Sequence, residues 1–291
     1  MRTALNLLKT VWNYNTFRGP QEAIVNAVNK GSDCFVLLPT GGGKSICYQL
    51  PALMKEGVCI VISPLIALMH DQVSALQEKG IKAIALTSKL NRQDTVAAFD
   101  NLMHGNYKFL YLSPEKLQSD FIQEKIAQLH VNLIAIDEAH CISQWGHDFR
   151  PAYLKIAVLL DILPDAPKIA LTATATQSVQ QDIIENLKLN NCRSFKGSYL
   201  RDNLHIGIKK TEDTRNALIR ILQKKSGPVI IYVGTRKESI DFSRILRASN
   251  IESCSYHGGM HADEKQKSYD LWKNERVRIM VATNAFGMGI D

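Results

Sequence analysis

Short apolar runs alternate along the chain with longer stretches whose apolar positions repeat at a helical period. The runs are rich in β-branched residues and are continuous rather than alternating. Continuous runs are typical of parallel strands that are covered on both faces. The alternation of strands and helices therefore predicts an α/β fold on a parallel sheet. The predicted strands of the first part are Cys34–Leu38, Val58–Ile62, Lys108–Leu112, Leu133–Ile136 and Ile169–Leu171.

The pattern weakens over Asn190–Asp202, where polar residues collect, and then resumes. This break predicts a linker between two domains, residues 1–200 and 201–291. Few strands follow the linker, so we expect the second domain to be incomplete. Its predicted strands are Val229–Val233, Ser253–Tyr256 and Val277–Ala282, and its predicted helices are Thr214–Lys224, Lys237–Ser249 and Asp263–Lys273.

Charge and cysteine usage narrow the class of protein. The net charge is +7, of which +5 belongs to residues 201–291, and this favours a polyanionic partner without excluding an ordinary basic surface. The six cysteines form no Cys-x-x-Cys pair, which favours buried free thiols over zinc or disulfides. No apolar stretch has the length of a membrane span and no signal peptide is visible, so we expect a cytoplasmic protein without membrane partners, which is associated with the nucleoid if the cell is bacterial.

A glycine-rich segment follows the first predicted strand and precedes a helical pattern. Glycines in such a loop allow backbone N–H groups to cradle phosphate oxygens. Lys44 can reach the β- and γ-phosphates of ATP, and the Ser45 hydroxyl can bind Mg²⁺. The strict phosphate-loop pattern requires glycine at position 38, where this chain has Leu38, so a chance glycine-rich turn is the alternative. The segment is Pro39-Thr40-Gly41-Gly42-Gly43-Lys44-Ser45.

Two carboxylates follow another predicted strand, in the sequence Asp137-Glu138-Ala139-His140. A carboxylate at this point faces the crevice at the carboxyl edge of a parallel sheet. Asp137 can then hold Mg²⁺ and Glu138 can activate the attacking water. A helix cap is the alternative for an isolated acidic pair, but the glycine-rich loop disfavours it.

Together these motifs resemble superfamily 2 helicases, and more narrowly the RecQ family, along essentially the whole chain. The resemblance implies two RecA-like domains that use ATP and Mg²⁺. It adds His140 to the catalytic residues Lys44, Asp137 and Glu138. Phe17-Arg18-Gly19-Pro20-Gln21 resembles the motif upstream of the phosphate loop, which implies that Gln21 reads adenine and that Arg18 assists.

The most family-specific stretch runs from Ala139 to Pro151 and resembles the aromatic-rich loop of RecQ enzymes, which links DNA contact to hydrolysis. Its Trp145 and Phe149 offer stacking faces, and Arg150 adds charge. Core aromatics are the alternative. The resemblance also assigns a coupling role to Gln144 in this loop and to Thr172 and Thr174 of motif III, while Thr176 is expected to cap the next helix.

Further segments resemble the remaining helicase motifs: Ile62–Gln72 (Ia), Tyr111–Glu115 (Ib), Ile231–Arg236 (IV), the following Tyr256–Met260, and Val281–Asp291 (V). Motif VI and its arginine finger would lie beyond Asp291, so we expect a C-terminally truncated chain with slow hydrolysis. The resemblance implies an ATP-dependent 3′→5′ DNA helicase acting on single-stranded and forked DNA. An RNA-directed ATPase and a clamp without turnover stay open as alternatives.

Overall fold

The computed structural model describes residues 3–87, 90–146, 148–198 and 204–286. The chain divides into two compact units, residues 1–201 and residues 202–291. Each unit is an α/β structure built on its own sheet. No helix within the described ranges combines the length and apolar character that crossing a membrane would require.

The first unit is built on a seven-stranded sheet in the order β3-β4-β2-β5-β6-β1-β7. Every strand pairing is parallel, which confirms the predicted class of fold. All five predicted strands are present. The strands are β1 (Cys34–Leu37), β2 (Val58–Ile62), β3 (Ala83–Leu86), β4 (Phe109–Leu112), β5 (Val131–Ile136), β6 (Lys168–Thr172) and β7 (Arg193–Lys196).

Helices cover both faces of this sheet, which explains the continuous apolar runs of its central strands. Along β1, Phe35 packs into the core on one face and Val36 into the core on the other. The α-helices of this unit are α1 (Ala4–Trp12), α2 (Gln21–Asn29), α3 (Lys44–Met54), α4 (Ile66–Glu78), α5 (Arg92–His104), α6 (Asp120–Ala127), α7 (Ile156–Ile162) and α8 (Gln177–Asn186), and its 3₁₀ helices are Pro114–Gln118, Ala139–Ile142 and Pro151–Lys155.

Two strands of this sheet were not predicted. Strand β3 is short and half alanine, so its apolar signal is weak. Strand β7 lies inside the predicted linker and pairs in parallel with β1. The linker prediction is therefore wrong over Arg193–Lys196. The reason is that β7 is an edge strand with mostly exposed polar side chains, and it carries no apolar pattern.

The second unit has a three-stranded parallel sheet in the order β8-β10-β9 within the described residues. Its predicted strands and helices are present with bounds that differ by at most two residues. Arg278 donates hydrogen bonds to the carbonyls of Leu222 and Lys225 and so closes the end of α9. The elements are α9 (Thr214–Lys224), β8 (Val229–Tyr232), α10 (Arg236–Ala248), β9 (Ser253–Tyr256), α11 (Ala262–Lys273) and β10 (Ile279–Ala282).

Side-chain caps fix where several helices begin. The Asn91 side chain accepts from the Asp94 N–H, and Thr176 accepts from the Val179 N–H, as predicted for Thr176. Such caps satisfy N–H groups that have no partner within the helix. The cap at Thr176 sets the direction in which α8 leaves the end of β6.

A buried carboxylate joins the amino ends of β1 and β6 to the chain that enters β7. Asp33 accepts hydrogen bonds from the backbone N–H of Lys168 at 2.9 Å and of Asn190 at 2.8 Å. Its carboxylate also lies 3.3 Å from the Lys168 ammonium, and the two side chains are only 7% and 6% exposed. Removing one member would leave the other charge buried without its counter-charge.

We therefore expect Asp33→Ala to lower the free energy of unfolding by about 3–5 kcal/mol. Asp161→Ala is the matched control, because Asp161 pairs with Lys188 at 2.6 Å on the surface, where the side chains are 66% and 55% exposed. This control should cost about 1 kcal/mol or less. Urea unfolding followed by circular dichroism measures both changes, and equal losses would contradict a structural role for the Asp33 network.

Candidate nucleotide and nucleic-acid site

The glycine-rich loop has the backbone geometry that phosphate binding needs. Gly41 and Gly43 adopt left-handed conformations with φ of +73° and +72°. A Cβ atom on Gly42 would lie 2.8 Å from the carbonyl oxygen of Pro39. Helix α3 begins directly at Lys44, so its N-terminal N–H groups open toward the loop. Larger residues at these positions would strain or block the turn.

Leu38 stands where the strict pattern has glycine, and the structure accommodates it. Its side chain is buried, and its N–H donates to the Thr172 carbonyl at 3.1 Å. Leu38 therefore extends the pairing of β1 with β6 by one residue before the turn begins. The presence of leucine at position 38 therefore does not alter the loop glycines Gly41–Gly43.

Gln21 lies beneath this loop rather than on the surface. Its side-chain amide donates to the carbonyls of Gly42 at 3.3 Å and Gly43 at 3.2 Å, and its Oε1 accepts from the Arg18 N–H at 2.9 Å. Gln21 therefore braces the phosphate loop. Adenine recognition by Gln21 and Arg18 stays a prediction, and it would require the Gln21 amide to exchange these contacts.

Asp137 follows the central strand β5, and its N–H donates to the Ile62 carbonyl at 2.9 Å. Desolvation raises the pKa of its carboxyl to about 6, and the neighbouring Glu138 carboxylate adds to the shift. The Lys44 ammonium acts in the opposite direction, so Lys44 and Asp137 share one electrostatic site. A carboxylate this poorly solvated fits a divalent cation, and with the Ser45 hydroxyl it would hold Mg²⁺ through oxygen ligands.

Glu138 has a backbone conformation that is rare for a residue with a side chain, with φ of 46° and ψ of 45°. Such a conformation costs on the order of 1–3 kcal/mol and must be maintained by its surroundings. It places Glu138 Oε2 3.3 Å from Nδ1 of His140. The same Nδ1 lies 2.8 Å from Oγ1 of Thr172 on the neighbouring strand.

The hydroxyl of Thr172 defines the direction of these hydrogen bonds. It donates to the Thr174 carbonyl at 3.1 Å and accepts from the Thr174 N–H at 3.2 Å. With its hydrogen on the Thr174 carbonyl, and with the Glu138 carboxylate 3.3 Å from Nδ1, this arrangement favours the tautomer of His140 that has its proton on Nδ1. The structure therefore brings Glu138, His140, Thr172 and Thr174 together in one polar chain across the ends of β5 and β6.

The aromatic-rich loop begins with the 3₁₀ helix Ala139–Ile142 and carries Trp145 outward, with 77% of its surface exposed. Gln144 is also exposed, whereas Phe149 is half-buried. The alternative that Trp145 is a core aromatic is therefore wrong. His147 lies outside the described residues, as do Gly287–Asp291 of the segment that resembles motif V.

Arg150 closes the loop through two partners. Its guanidinium pairs with the Asp148 carboxylate at 3.1 Å and donates to the Pro64 carbonyl at 3.1 Å. Pro64 belongs to the segment that resembles motif Ia. Arg150 thus connects the loop to the start of α4, and a stacking contact with a base would require it to leave these partners.

Sequence reasoning missed one contact that anchors the loop. The buried Ser143 hydroxyl donates to the Asp182 carboxylate of α8 at 2.6 Å. The same hydroxyl accepts from the Trp145 N–H at 3.2 Å. Ser143 lies in the aromatic-rich stretch and was a visible candidate, but nothing in the sequence pairs it with Asp182, which has the appearance of an ordinary polar helix residue.

A second contact that sequence reasoning missed involves Tyr153. Its hydroxyl donates to the Asp137 carbonyl at 2.9 Å.

Comparison with known families gives two matches. A DEAD/DEAH box helicase model matches residues 18–183, and a helicase conserved C-terminal domain model matches residues 213–291. The chain is 42% identical to the ATP-dependent DNA helicase RecQ of Haemophilus influenzae, covering 99% of this chain and 47% of that protein. It is 41% identical to RecQ of Bacillus subtilis, covering 100% and 50%. The chain thus spans about half the length of these curated relatives.

Two solved structures have a fold similar to that of this chain. A Saccharomyces cerevisiae Dbp5 variant bound to a Gle1 variant and IP6 aligns with a TM-score of 0.71 at 18% identity, covering 98% of this chain and 74% of that one. Mycobacterium smegmatis helicase Lhr bound to single-stranded DNA and AMP-PNP aligns with a TM-score of 0.67 at 18% identity, covering 96% and 41%. These likenesses support the RecA-like architecture of both units.

The contact between Ser143 and Asp182 predicts that α8 holds the Trp145 turn. A hydrogen bond to a charged group contributes about 1.5–3 kcal/mol. Asp182→Ala should therefore increase amide hydrogen exchange of the peptide around Trp145 by about tenfold or more. Glu185→Ala is the control on the same helix, because its exposed carboxylate accepts a hydrogen bond from Gln181 one turn away at 3.1 Å. The same exchange rate in both variants would show that the contact does not order the turn.

Proposed function

We propose that this chain, which belongs to the DEAD/DEAH box helicase family and within it to the RecQ helicases, acts as an ATP-dependent DNA helicase with 3′→5′ polarity. The observation that carries this proposal is the convergence of Lys44, Asp137 and Glu138 at the carboxyl edge of one parallel sheet. That edge is where nucleotides bind in open α/β sheets.

In the nucleotide site, the loop glycines Gly41–Gly43 and Thr40 surround the phosphates, and Lys44 neutralises the β- and γ-phosphate charge. Ser45 and Asp137 would hold Mg²⁺, which would supply positive charge to the phosphates. Glu138 orients the attacking water and takes its proton. His140 contacts both Glu138 and Thr172 of motif III. A shift of Thr172 would therefore change the position of Glu138.

In the nucleic-acid site, Trp145 offers an exposed face to a base of single-stranded DNA, and Phe149 and Arg150 lie beside it on the same loop. Stacking on an aromatic face is tolerant of sequence, which suits translocation. Gln144 and Thr174 are exposed and supply polar contacts. The basic surface of residues 201–291 favours the phosphate backbone, including that of forked DNA. A chromosomal substrate implies a cytoplasmic location, with nucleoid association if the cell is bacterial.

The coupling between the two sites follows from their connectivity. Only Ala139 separates Glu138 from His140, and the loop that carries Trp145 leaves this 3₁₀ helix directly. A base that displaces the loop would change the contacts of Arg150 and Ser143 and move the helix on which His140 stands. DNA binding would thereby change the position of Glu138 relative to the γ-phosphate.

Lys44 and Glu138 have separable roles in this proposal. Lys44→Ala removes a charge-assisted contact with the phosphates and should weaken ATP binding by roughly 10- to 100-fold. Glu138→Gln should leave the affinity for ATP within about twofold, because the carboxylate acts on water, while hydrolysis falls by about 100-fold or more. Titration with a fluorescent ATP analogue and phosphate release measure the two effects. Equal loss of ATP affinity in both variants would contradict these roles.

Trp145 should contribute to DNA binding and to DNA-stimulated hydrolysis more than to basal hydrolysis. Loss of stacking costs about 1–3 kcal/mol per base, so Trp145→Ala and Phe149→Ala should weaken single-stranded DNA binding by roughly 5- to 150-fold. Tyr14→Ala, at another exposed aromatic of the same unit, is the control. Fluorescence anisotropy with DNA and RNA oligonucleotides of the same sequence measures the effect. Unchanged affinity in both loop variants, or tighter binding to RNA, would contradict the DNA assignment.

A further inference from the structure

A second cluster of potential ligands lies behind the catalytic carboxylates, at the base of the aromatic-rich loop. His140, Cys141 and Asp148 each direct a ligand atom into one space, and these atoms all lie within 4.8 Å of one another. The Cys141 sulfur is 3.8 Å from Nε2 of His140 and 3.8 Å from Oδ2 of Asp148. The function proposed above uses His140 through Nδ1 and leaves this cluster without a role.

The spacing suits a tetrahedral ion of the zinc class. Zinc binds sulfur at about 2.3 Å and nitrogen or oxygen at about 2.0–2.2 Å, so its ligands stand roughly 3.3–3.7 Å apart. The two separations that involve the Cys141 sulfur, 3.8 Å each, exceed this by a few tenths of an ångström, and all three ligand atoms lie within 4.8 Å of one another. Rotations of the Cys141 and Asp148 side chains would bring the three atoms to ligand distance. Nitrogen, sulfur and carboxylate oxygen are a ligand set that favours zinc over magnesium.

His140 is already oriented as a metal ligand would be. Its Nδ1 lies 2.8 Å from Oγ1 of Thr172 and 3.3 Å from the Glu138 carboxylate, and these two acceptors favour a proton on Nδ1. The lone pair of Nε2 then faces the Cys141 sulfur. A histidine ligand that donates its other N–H to a hydroxyl or a carboxylate is the usual outer arrangement at protein zinc sites.

The charges are also compatible with a divalent ion. Without a metal, burial and the nearby Asp148 raise the pKa of the Cys141 thiol to about 12, so the thiol is protonated. Metal binding would release that proton to solvent, and the resulting thiolate and the Asp148 carboxylate would balance the two positive charges. The Asp148 side chain is 33% exposed, which gives the ion access from solvent. Arg150 competes for Oδ2 of Asp148.

We propose that His140, Cys141 and Asp148 form a site for a zinc-class ion, with water as the fourth ligand, that fixes the aromatic-rich loop to the catalytic 3₁₀ helix. Cys141 and Asp148 stand on either side of the Trp145 turn, so one ion would close the loop at its base. The consequence rests on the function proposed above: a loop closed in this way would no longer transmit DNA binding to Glu138. Zinc bound at this site would therefore inhibit the stimulation of ATP hydrolysis by DNA.

Cobalt(II) alone is a suitable probe, because a thiolate bound to cobalt gives a charge-transfer band in the near ultraviolet that water and oxygen ligands do not give. We expect one equivalent of cobalt to produce this band in the wild-type chain and zinc to remove it by competition. Cys141→Ser should abolish the band, and Asp148→Asn should weaken cobalt binding by about tenfold or more. Cys192→Ser is the matched control, since this partly exposed thiol of the same unit lies outside the cluster.

These experiments distinguish failure of the proposed metal site from failure of the proposed helicase function. A band that persists in Cys141→Ser, or that disappears equally in Cys192→Ser, would overturn the proposed site, as would the absence of any band. Circular dichroism of each variant shows whether it is folded, and Asp148→Asn gives a second test that leaves the buried thiol in place. ATP and DNA binding by the metal-free wild type are measured separately. Their failure would refute the proposed function while leaving the metal site supported.

Discussion

The half-buried carboxylate of Asp137 is the constraint around which the first unit is arranged. Desolvation raises its pKa to about 6, so a nearby cation stabilises the negative charge there. The strand order β2-β5-β6-β1 puts the ends of β5, β6 and β1 side by side. Asp137, Thr172 and the loop that leads to Lys44 leave from these ends. The apolar strands are buried on both faces, and the charged groups Asp137 and Lys44 lie just beyond the carboxyl ends of these strands.

The same arrangement explains why a strained residue stands next to Asp137. The left-handed conformation of Glu138 turns the chain sharply into the 3₁₀ helix Ala139–Ile142. The turn directs Glu138 and His140 toward each other and toward Thr172. The hydrogen bonds of Thr172 and the packing of Ala139 hold this geometry, so the surroundings offset the local strain.

Central strands were predictable from sequence because a short, continuous, β-branched apolar run between turn residues is typical of a strand buried on both faces. The phosphate loop and the acidic pair were also visible, since glycine and carboxylate positions follow strand ends directly. Strand β7 was not, because an edge strand with exposed polar side chains lacks any apolar period. The burial of Gln21 under the loop and the pairing of Ser143 with Asp182 depend on residues far apart in the sequence. No local pattern predicts contacts of that kind.

Polar contacts, rather than apolar packing, hold the base of the aromatic-rich loop, and the exposure of Trp145 gives a physical reason for this. Apolar packing would order Trp145 firmly, but it would also bury the face that the proposed function offers to a base. Hydrogen bonds through Ser143 and the Arg150–Asp148 pair order the base of the loop while Trp145 stays exposed. Each of these contacts contributes only a few kcal/mol, because folding exchanges hydrogen bonds with water for hydrogen bonds within the protein. The loop can therefore adopt a defined position and, in the proposed function, still respond to a DNA strand and pass that response to Glu138 through the 3₁₀ helix Ala139–Ile142.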